Sequence, residues 1–216
     1  MKEWLKANDV IDTQNFYDLK YESHGREAFT GYDWRFFFKS IEDLFGRPRP
    51  TDAWLDCGCG HGEFLEKVIA RYKFSSPALY GIDLSGKACD LAEERFKNYE
   101  YKINIQMISM DYLPDYWMNY FEVVTSWGSI EHSMDPLMSL KNMIFVTKPG
   151  GFVMIAVPLE FQNCLDYIKA EKFNRNNERF MEYMEWLAYF SKIKKPIMTQ
   201  KIEMVEGGDM LLVFKK

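Results

Sequence analysis

The chain has 216 residues, with 27 Lys+Arg against 32 Asp+Glu for a net charge of −5, and 47% of its residues are hydrophobic. A single domain of that size buries roughly 70% of the surface its unfolded chain exposes, so its 4 cysteines neither form nor need to form a disulfide scaffold. The acidic balance gives no general attraction to a phosphate backbone, no apolar run approaches the ~20 residues that cross a bilayer, and Met1-Lys2-Glu3-Trp4-Leu5-Lys6 carries no apolar leader. The chain therefore reads as soluble and cytoplasmic, with neither nucleic acid nor membrane as a partner.

Residues 1–50 crowd Phe16, Tyr17, Tyr21, Phe29, Tyr32, Trp34, Phe36, Phe37, Phe38 and Phe45 into a stretch without strand signals, which closes at Gly46-Arg47-Pro48-Arg49-Pro50. This predicts a helical N-terminal cap. From Asp52 onward, short apolar runs alternate with helical patterns: strand 53–55, helix 63–72, strand 78–82, helix 87–99, strand 103–110, strand 121–126, helix 136–146 and strand 152–157. The alternation predicts βαβ units and a parallel sheet, with residues 51–158 as its core.

Residues 159–195 show helical periodicity through Phe180, Met184, Leu187 and Ala188, broken at Asn174-Arg175-Asn176-Asn177, and read as two helices or one long broken one. The charged run 171–185 is a solvated helix face or a variable cap over the site. Two alternating runs, 200–205 and 210–214, flank a Gly207-Gly208 turn and predict a terminal hairpin. All of this belongs to a single domain, residues 1–216, in which 159–216 form a helical cap and the hairpin.

The sharpest feature is Asp56-Cys57-Gly58-Cys59-Gly60-His61-Gly62-Glu63, with glycines at alternate positions directly after a strand and before a helix. Side-chain-free positions there let the backbone approach a ligand at the carboxyl end of the first strand. The sixth position from Gly58 is Glu63, which spoils a dinucleotide fingerprint, and no Gly-Lys-Ser/Thr follows, so a P-loop is excluded. Cys57 and Cys59 lack the spacer of a metal pair, and Cys89 and Cys164 supply no second pair, so no metal site is expected.

The pattern Asp56-x-Gly58-x-Gly60-x-Gly62 resembles motif I of the class I S-adenosylmethionine-dependent methyltransferases. The resemblance covers 52–158 well and the last strands loosely, and it implies a Rossmann-like α/β fold. That fold has a seven-stranded, mostly parallel sheet with an antiparallel last strand and helices on both faces. It also implies S-adenosylmethionine as cofactor and S-adenosylhomocysteine as product, with Asp56, Gly58, Cys59, Gly60 and Gly62 around the methionine half. A cationic sulfonium without phosphate is compatible with Asp56 and Glu63.

By the same resemblance, Asp83 and Leu84 at the end of strand 2 hold the ribose, although Asp83 alone would also suit a helix N-cap. Asp111 at the end of strand 3 is implied at the adenine amino group, with Met110 and Tyr112 flanking the ring. Residues 126–136, which include Trp127 and His132, are similar to the family's segment after strand 4. Residues 17–27 are similar to the opening of some small-molecule methyltransferases, including N-methyltransferases of nucleotide-linked amino sugars, and this suggests Tyr17 and Tyr21 as a lid.

His132 is placed where it would face the transferring methyl group. It is either a general base for a hydroxyl or ammonium nucleophile or a residue that shapes the loop. The expected reaction is in-line transfer of a methyl group to an O or N atom of a small molecule, in a pocket lined by Trp127, Tyr17, Tyr21 and Phe161. The alternatives are a protein or RNA methyltransferase, or a non-catalytic cofactor-binding regulator.

Overall fold

The computed structural model describes residues 10–25, 34–74, 78–100, 103–159, 183–204 and 207–216. In chain order these form α1 (Val10–His24), α2 (Trp34–Phe45), β1 (Trp54–Cys57), α3 (Glu63–Tyr72), β2 (Leu79–Asp83), α4 (Gly86–Phe96), β3 (Asn104–Met107) and β4 (Phe121–Trp127). There follow α5 (Pro136–Val146), β5 (Thr147–Pro158), α6 (Tyr183–Ser191), β6 (Met198–Met204) and β7 (Gly207–Lys215). Single 3-10 turns lie at Asp115–Trp117 and Ile130–His132.

The strands make one 7-stranded sheet in the order β3-β2-β1-β4-β5-β7-β6. The β1–β2, β2–β3, β1–β4 and β4–β5 pairs are parallel, and β7 enters antiparallel between β5 and β6. The fold expected from the sequence is therefore the one observed. Burial on both faces explains why these strands read as nearly continuous apolar runs. Along β5, Met154 and Ala156 join a core with α2, α3 and α4, whereas Val153, Ile155 and Val157 join one with α5 and α6. β7 divides in the same way, Leu211 and Val213 against Met210, Leu212 and Phe214. The period of two distributes neighbouring residues to opposite layers.

Two local assignments change. Gly207 and Gly208, expected as the hairpin turn, lie inside β7, where they pair with Met204 and Glu203. Thr147-Lys148-Pro149-Gly150-Gly151 lies within β5 rather than before it, and the β4–β5 register jumps from Phe121↔Thr147 to Val123↔Phe152. Proline lacks the N–H that regular pairing uses, and the strand absorbs the break as an irregularity. Most of the helical region expected over 159–195, together with Phe161, lies outside the described residues; α6 is its described part.

Helix starts are set chemically. Asp135 accepts hydrogen bonds from the N–H groups of Leu137 and Met138 at 3.0 and 3.1 Å, with Pro136 next in line to open α5. Ser85 Oγ accepts from Ala88 N–H at 3.0 Å to open α4. Asp135→Ala is predicted to cost about 1 kcal/mol, a Tm loss of about 2–4 °C for a chain of this size. Phe121→Ala, at a side chain with 0% exposure, is predicted to cost about 3–5 kcal/mol. Denaturant unfolding checks both, and equal losses would contradict this division between cap and core.

Candidate active site

The chain reverses direction across the sheet between β1 and β4, and at the carboxyl ends of such strands an open α/β sheet offers a crevice. A cavity of about 140 Å³ lies there, lined by the glycine loop, the ends of β2, β3 and β4, and the inner face of α1. Gly58 and Gly60 have φ of 75° and 53°, left-handed values that favour glycine. A Cβ on Gly58 would overlap Ser129, and one on Gly60 would stand 2.5 Å from the Tyr21 hydroxyl. The loop therefore fits under its neighbours because it has no side chains at these points.

Asp83 fixes the loop. Its Oδ2 accepts the Gly60 N–H at 2.8 Å and its Oδ1 accepts the Ser85 N–H at 2.9 Å. Ser85 Oγ in turn donates to Asp18 Oδ1 of α1 at 2.5 Å, and the Lys87 N–H donates to the same oxygen at 3.1 Å. Asp18 thus anchors α1 to the start of α4, and α1 turns Thr13, Tyr17 and Tyr21 into the cavity. Their spacing of four residues puts all three on one helix face. That stripe could have been found in the sequence, yet Thr13 and Asp18 were not singled out.

Asp56, buried in β1, accepts a hydrogen bond from Thr125 Oγ1 at 2.7 Å. Burial pushes its carboxyl up to about 7, the Thr125 bond opposes the rise, and the negative charge of Asp83 adds to it. Burial likewise raises Asp83 to about 6, against the pull of the Ser85 and Gly60 N–H groups, and the Asp18 charge raises it further. Burial first, and then the Asp83 charge, lift both the Tyr21 hydroxyl and the Cys59 thiol well above their usual range.

Cys59, Leu84 and Met110 line the cavity as well, and Trp127 closes it from the end of β4. Asp111 lines it with both carboxylate oxygens already engaged: Oδ1 accepts from Ser139 Oγ at 2.5 Å, and Oδ2 accepts from the Met134 N–H at 3.1 Å. This ties the β3 end to the segment after β4 and to α5. Gly62 sits outside the lining, where a Cβ would meet Phe96 of α4. Tyr112, expected beside the adenine ring, has a side chain that is 72% exposed and lies outside the lining, because the chain turns after Asp111.

His132 lines the cavity, its ring centroid 5.5 Å from that of Tyr17 in an edge contact and its Nε2 3.6 Å from Glu131 Oε1. Sequence reading missed Ser129, whose hydroxyl donates to the Gly58 carbonyl at 3.2 Å and joins the β4 end to the glycine loop. Glu63, read from the sequence as an acid compatible with a cationic ligand, also lines the cavity. Among the described residues, no group of three or more His, Cys, Asp or Glu side chains could hold a metal ion, and Cys57, Cys59 and Cys89 are free and buried.

Comparison with known proteins agrees with this geometry. Residues 25–196 match the family described as a methyltransferase domain. The chain belongs to this family. It is similar to a ubiquinone biosynthesis O-methyltransferase of Nitrosospira multiformis, 30% identical over 102 residues that cover 47% of this chain and 41% of that protein. It is also similar to a ubiquinone/menaquinone biosynthesis C-methyltransferase of Geotalea daltonii, 32% identical over 114 residues, 52% of this chain and 46% of that one. The matched segments span less than half the length of these curated relatives.

The methyltransferase fold is also that of solved structures. The 1,6-didemethyltoxoflavin-N1-methyltransferase of Burkholderia thailandensis, with bound 1,6-didemethyltoxoflavin and S-adenosylhomocysteine, has a TM-score of 0.70 at 13% identity, over 96% of this chain and 87% of that one. The magnesium protoporphyrin IX methyltransferase of Synechocystis PCC 6803, with bound S-adenosylhomocysteine, has a TM-score of 0.70 at 10% identity, over 96% of this chain and 100% of that one.

The buried acids make a prediction about stability. Between an unfolded pKa near ~4 and a folded value of about 7, Asp56 binds more protons folded than unfolded. Its contribution to stability is therefore present at low pH and is lost as pH rises through that window. Urea unfolding of the ligand-free chain should show a midpoint that falls from pH 5 to pH 8 more steeply than in Asp56→Asn. Equal slopes would show that Asp56 does not carry the effect.

Proposed function

We propose that this chain transfers the methyl group of S-adenosylmethionine to an O or N atom of a small molecule. The observation that carries the reading is the convergence of Asp56, Glu63, Asp83 and Asp111 with the bare Gly58–Gly60 backbone in one cavity. Carboxylates suit a ligand with a cationic centre, a ribose diol and an exocyclic amine, whereas a phosphorylated cofactor would be repelled. The bound cofactor would supply an already activated methyl group whose leaving atom becomes a neutral thioether.

The positions of the chain's own residues support a role for each in this reading. Asp83, oriented by two N–H groups, retains lone pairs to accept the ribose hydroxyls. Leu84, Met110 and Asp111 border the side where a base would lie, and Gly58, Cys59, Gly60 and Asp56 border the methionine side. Tyr17 and Tyr21 on α1 exclude water and confine the acceptor, which supports a small molecule rather than a polymer. His132, between Tyr17 and Glu131, is positioned to take the acceptor's proton as the new bond forms.

The recessed, partly aromatic site and the chain's acidic charge support a small-molecule acceptor over nucleic acid. Free buried cysteines suit a reducing compartment, consistent with a cytoplasmic enzyme. Among the described residues, no helix is long and apolar enough to cross a membrane.

The reading predicts a pH signature for binding. Because the ribose hydroxyls need the ionised carboxylate, S-adenosylhomocysteine should bind about ten-fold more tightly at pH 7 than at pH 5, levelling above the Asp83 value of about 6. Asp83→Asn should weaken binding and flatten this profile. Tritiated methyl transfer onto a panel of phenols, carboxylic acids, amines and amino sugars should then identify the acceptor. His132→Ala should lower turnover by about 10²-fold or more at neutral pH. A wild-type affinity independent of pH, or no transfer to any acceptor, would count against the proposal.

A further inference from the structure

The glycine loop is gripped from a second side, by α4. Arg95, in the last turn of that helix, donates from Nε to the His61 carbonyl at 2.8 Å, and its Nη2 lies 2.8 Å from His61 Nδ1. Its Nη1 pairs with Glu66 of α3, to which the Tyr99 hydroxyl also donates at 3.4 Å. The Arg95 side chain is 12% exposed and His61 is buried, so the fork lies beneath the loop and not on the surface. Helix α4 comes this close because Gly62 has no side chain: a Cβ there would stand 2.6 Å from Phe96.

The chemistry of the fork fixes the imidazole. A guanidinium carries five N–H donors and no acceptor, and it keeps its proton in proteins. The contact between Nη2 and Nδ1 is therefore a hydrogen bond only if Nδ1 presents its lone pair, which puts the ring proton on Nε2 and leaves the ring neutral. A protonated ring would turn two cationic donors on each other at 2.8 Å. The ring so held lines the cavity and meets Tyr21 edge to face, with centroids 6.4 Å apart, while the Tyr21 hydroxyl lies against Gly60. Asp83 accepts the Gly60 N–H, so adjacent residues of the loop are held by β2 on one side and by α4 on the other.

We propose that Arg95 is a positioning residue for the methyl-transfer site: it locks His61 as the neutral Nε2–H imidazole and, through the His61 carbonyl, sets the shape of the loop on which the ligand rests. The inference rests on the cofactor reading above, in which that ligand is S-adenosylmethionine. Arg95 is not among the residues that line the cavity, so it acts through His61. A ring that merely packs against Tyr21, or an arginine that merely pairs with Glu66, would need no acceptor at Nδ1.

The test separates the acceptor from the ring. His61→Asn keeps an acceptor oxygen and loses the ring, His61→Phe keeps a ring and loses the acceptor, and Arg95→Met keeps an unbranched stem and loses every donor. In calorimetric titration with S-adenosylhomocysteine at pH 7.5, His61→Phe and Arg95→Met should each weaken binding about ten-fold or more, the value of a charged hydrogen bond, and His61→Asn less than about three-fold. Nitrogen NMR of the imidazoles reads the tautomer independently, since the chain has only 3 histidines and the signal missing in His61→Asn is that of His61. Wild type should show a lone pair on Nδ1 and a proton on Nε2, and Arg95→Met a mixture of both neutral forms. If Arg95→Met does not fold, the two His61 variants and the wild-type spectrum carry the test. His61→Phe binding as tightly as His61→Asn, a proton on Nδ1 in wild type, or wild-type affinity or an unchanged tautomer in folded Arg95→Met overturns the inference and leaves the cofactor reading intact. A folded wild type that does not bind S-adenosylhomocysteine overturns the cofactor reading and, with it, the role given to Arg95.

Discussion

The site is organised around one carboxylate. Asp83 ends β2 and accepts an N–H from each side, Gly60 in the glycine loop and Ser85 at the start of α4. Ser85 passes the connection to Asp18, so a single chain of hydrogen bonds runs from the loop through the strand end to α1. Three segments far apart in sequence are thereby held in mutual register around one cavity. The roof residues Tyr17 and Tyr21 owe their positions to the same anchor as the floor.

This arrangement costs stability. Burial raises both Asp56 and Asp83 toward neutrality, and the charge of Asp83 adds to the rise of Asp56 as the charge of Asp18 adds to that of Asp83. An apolar pair would pack at lower cost. Acids concentrated where they destabilise the empty protein are what a cavity for a cationic, diol-bearing ligand requires, and the ligand offsets the cost by mass action when it binds. The stability of the cavity and its affinity are therefore linked through the same protons.

Much of this was legible in the sequence because it depended on local pattern. Three alternating glycines after a strand located the loop, and acids at three successive strand ends located Asp56, Asp83 and Asp111. What was not legible depended on side chains that meet across the fold. Asp18 and Ser85 are 67 positions apart, and nothing local marks either as an anchor. Tyr112 follows Asp111 directly but points outward, because a turn reverses the chain there. Asp111 looked like a ligand and is also a tie between loops, which only its partners Ser139 and Met134 reveal. The hairpin glycines misled because Gly207 and Gly208 read as a turn although they pair within β7.

The central claim is that Asp83 makes this cavity an S-adenosylmethionine site. The most direct measurement is the dissociation constant of S-adenosylhomocysteine for wild type and for Asp83→Ala at pH 7.5, with the fold of each checked by circular dichroism. The account predicts saturable one-to-one binding by wild type and a loss of about 10²-fold or more in the folded variant, as expected when a charged acceptor of two hydroxyls is removed. A folded wild type that does not bind, or a variant that binds equally well, would contradict it.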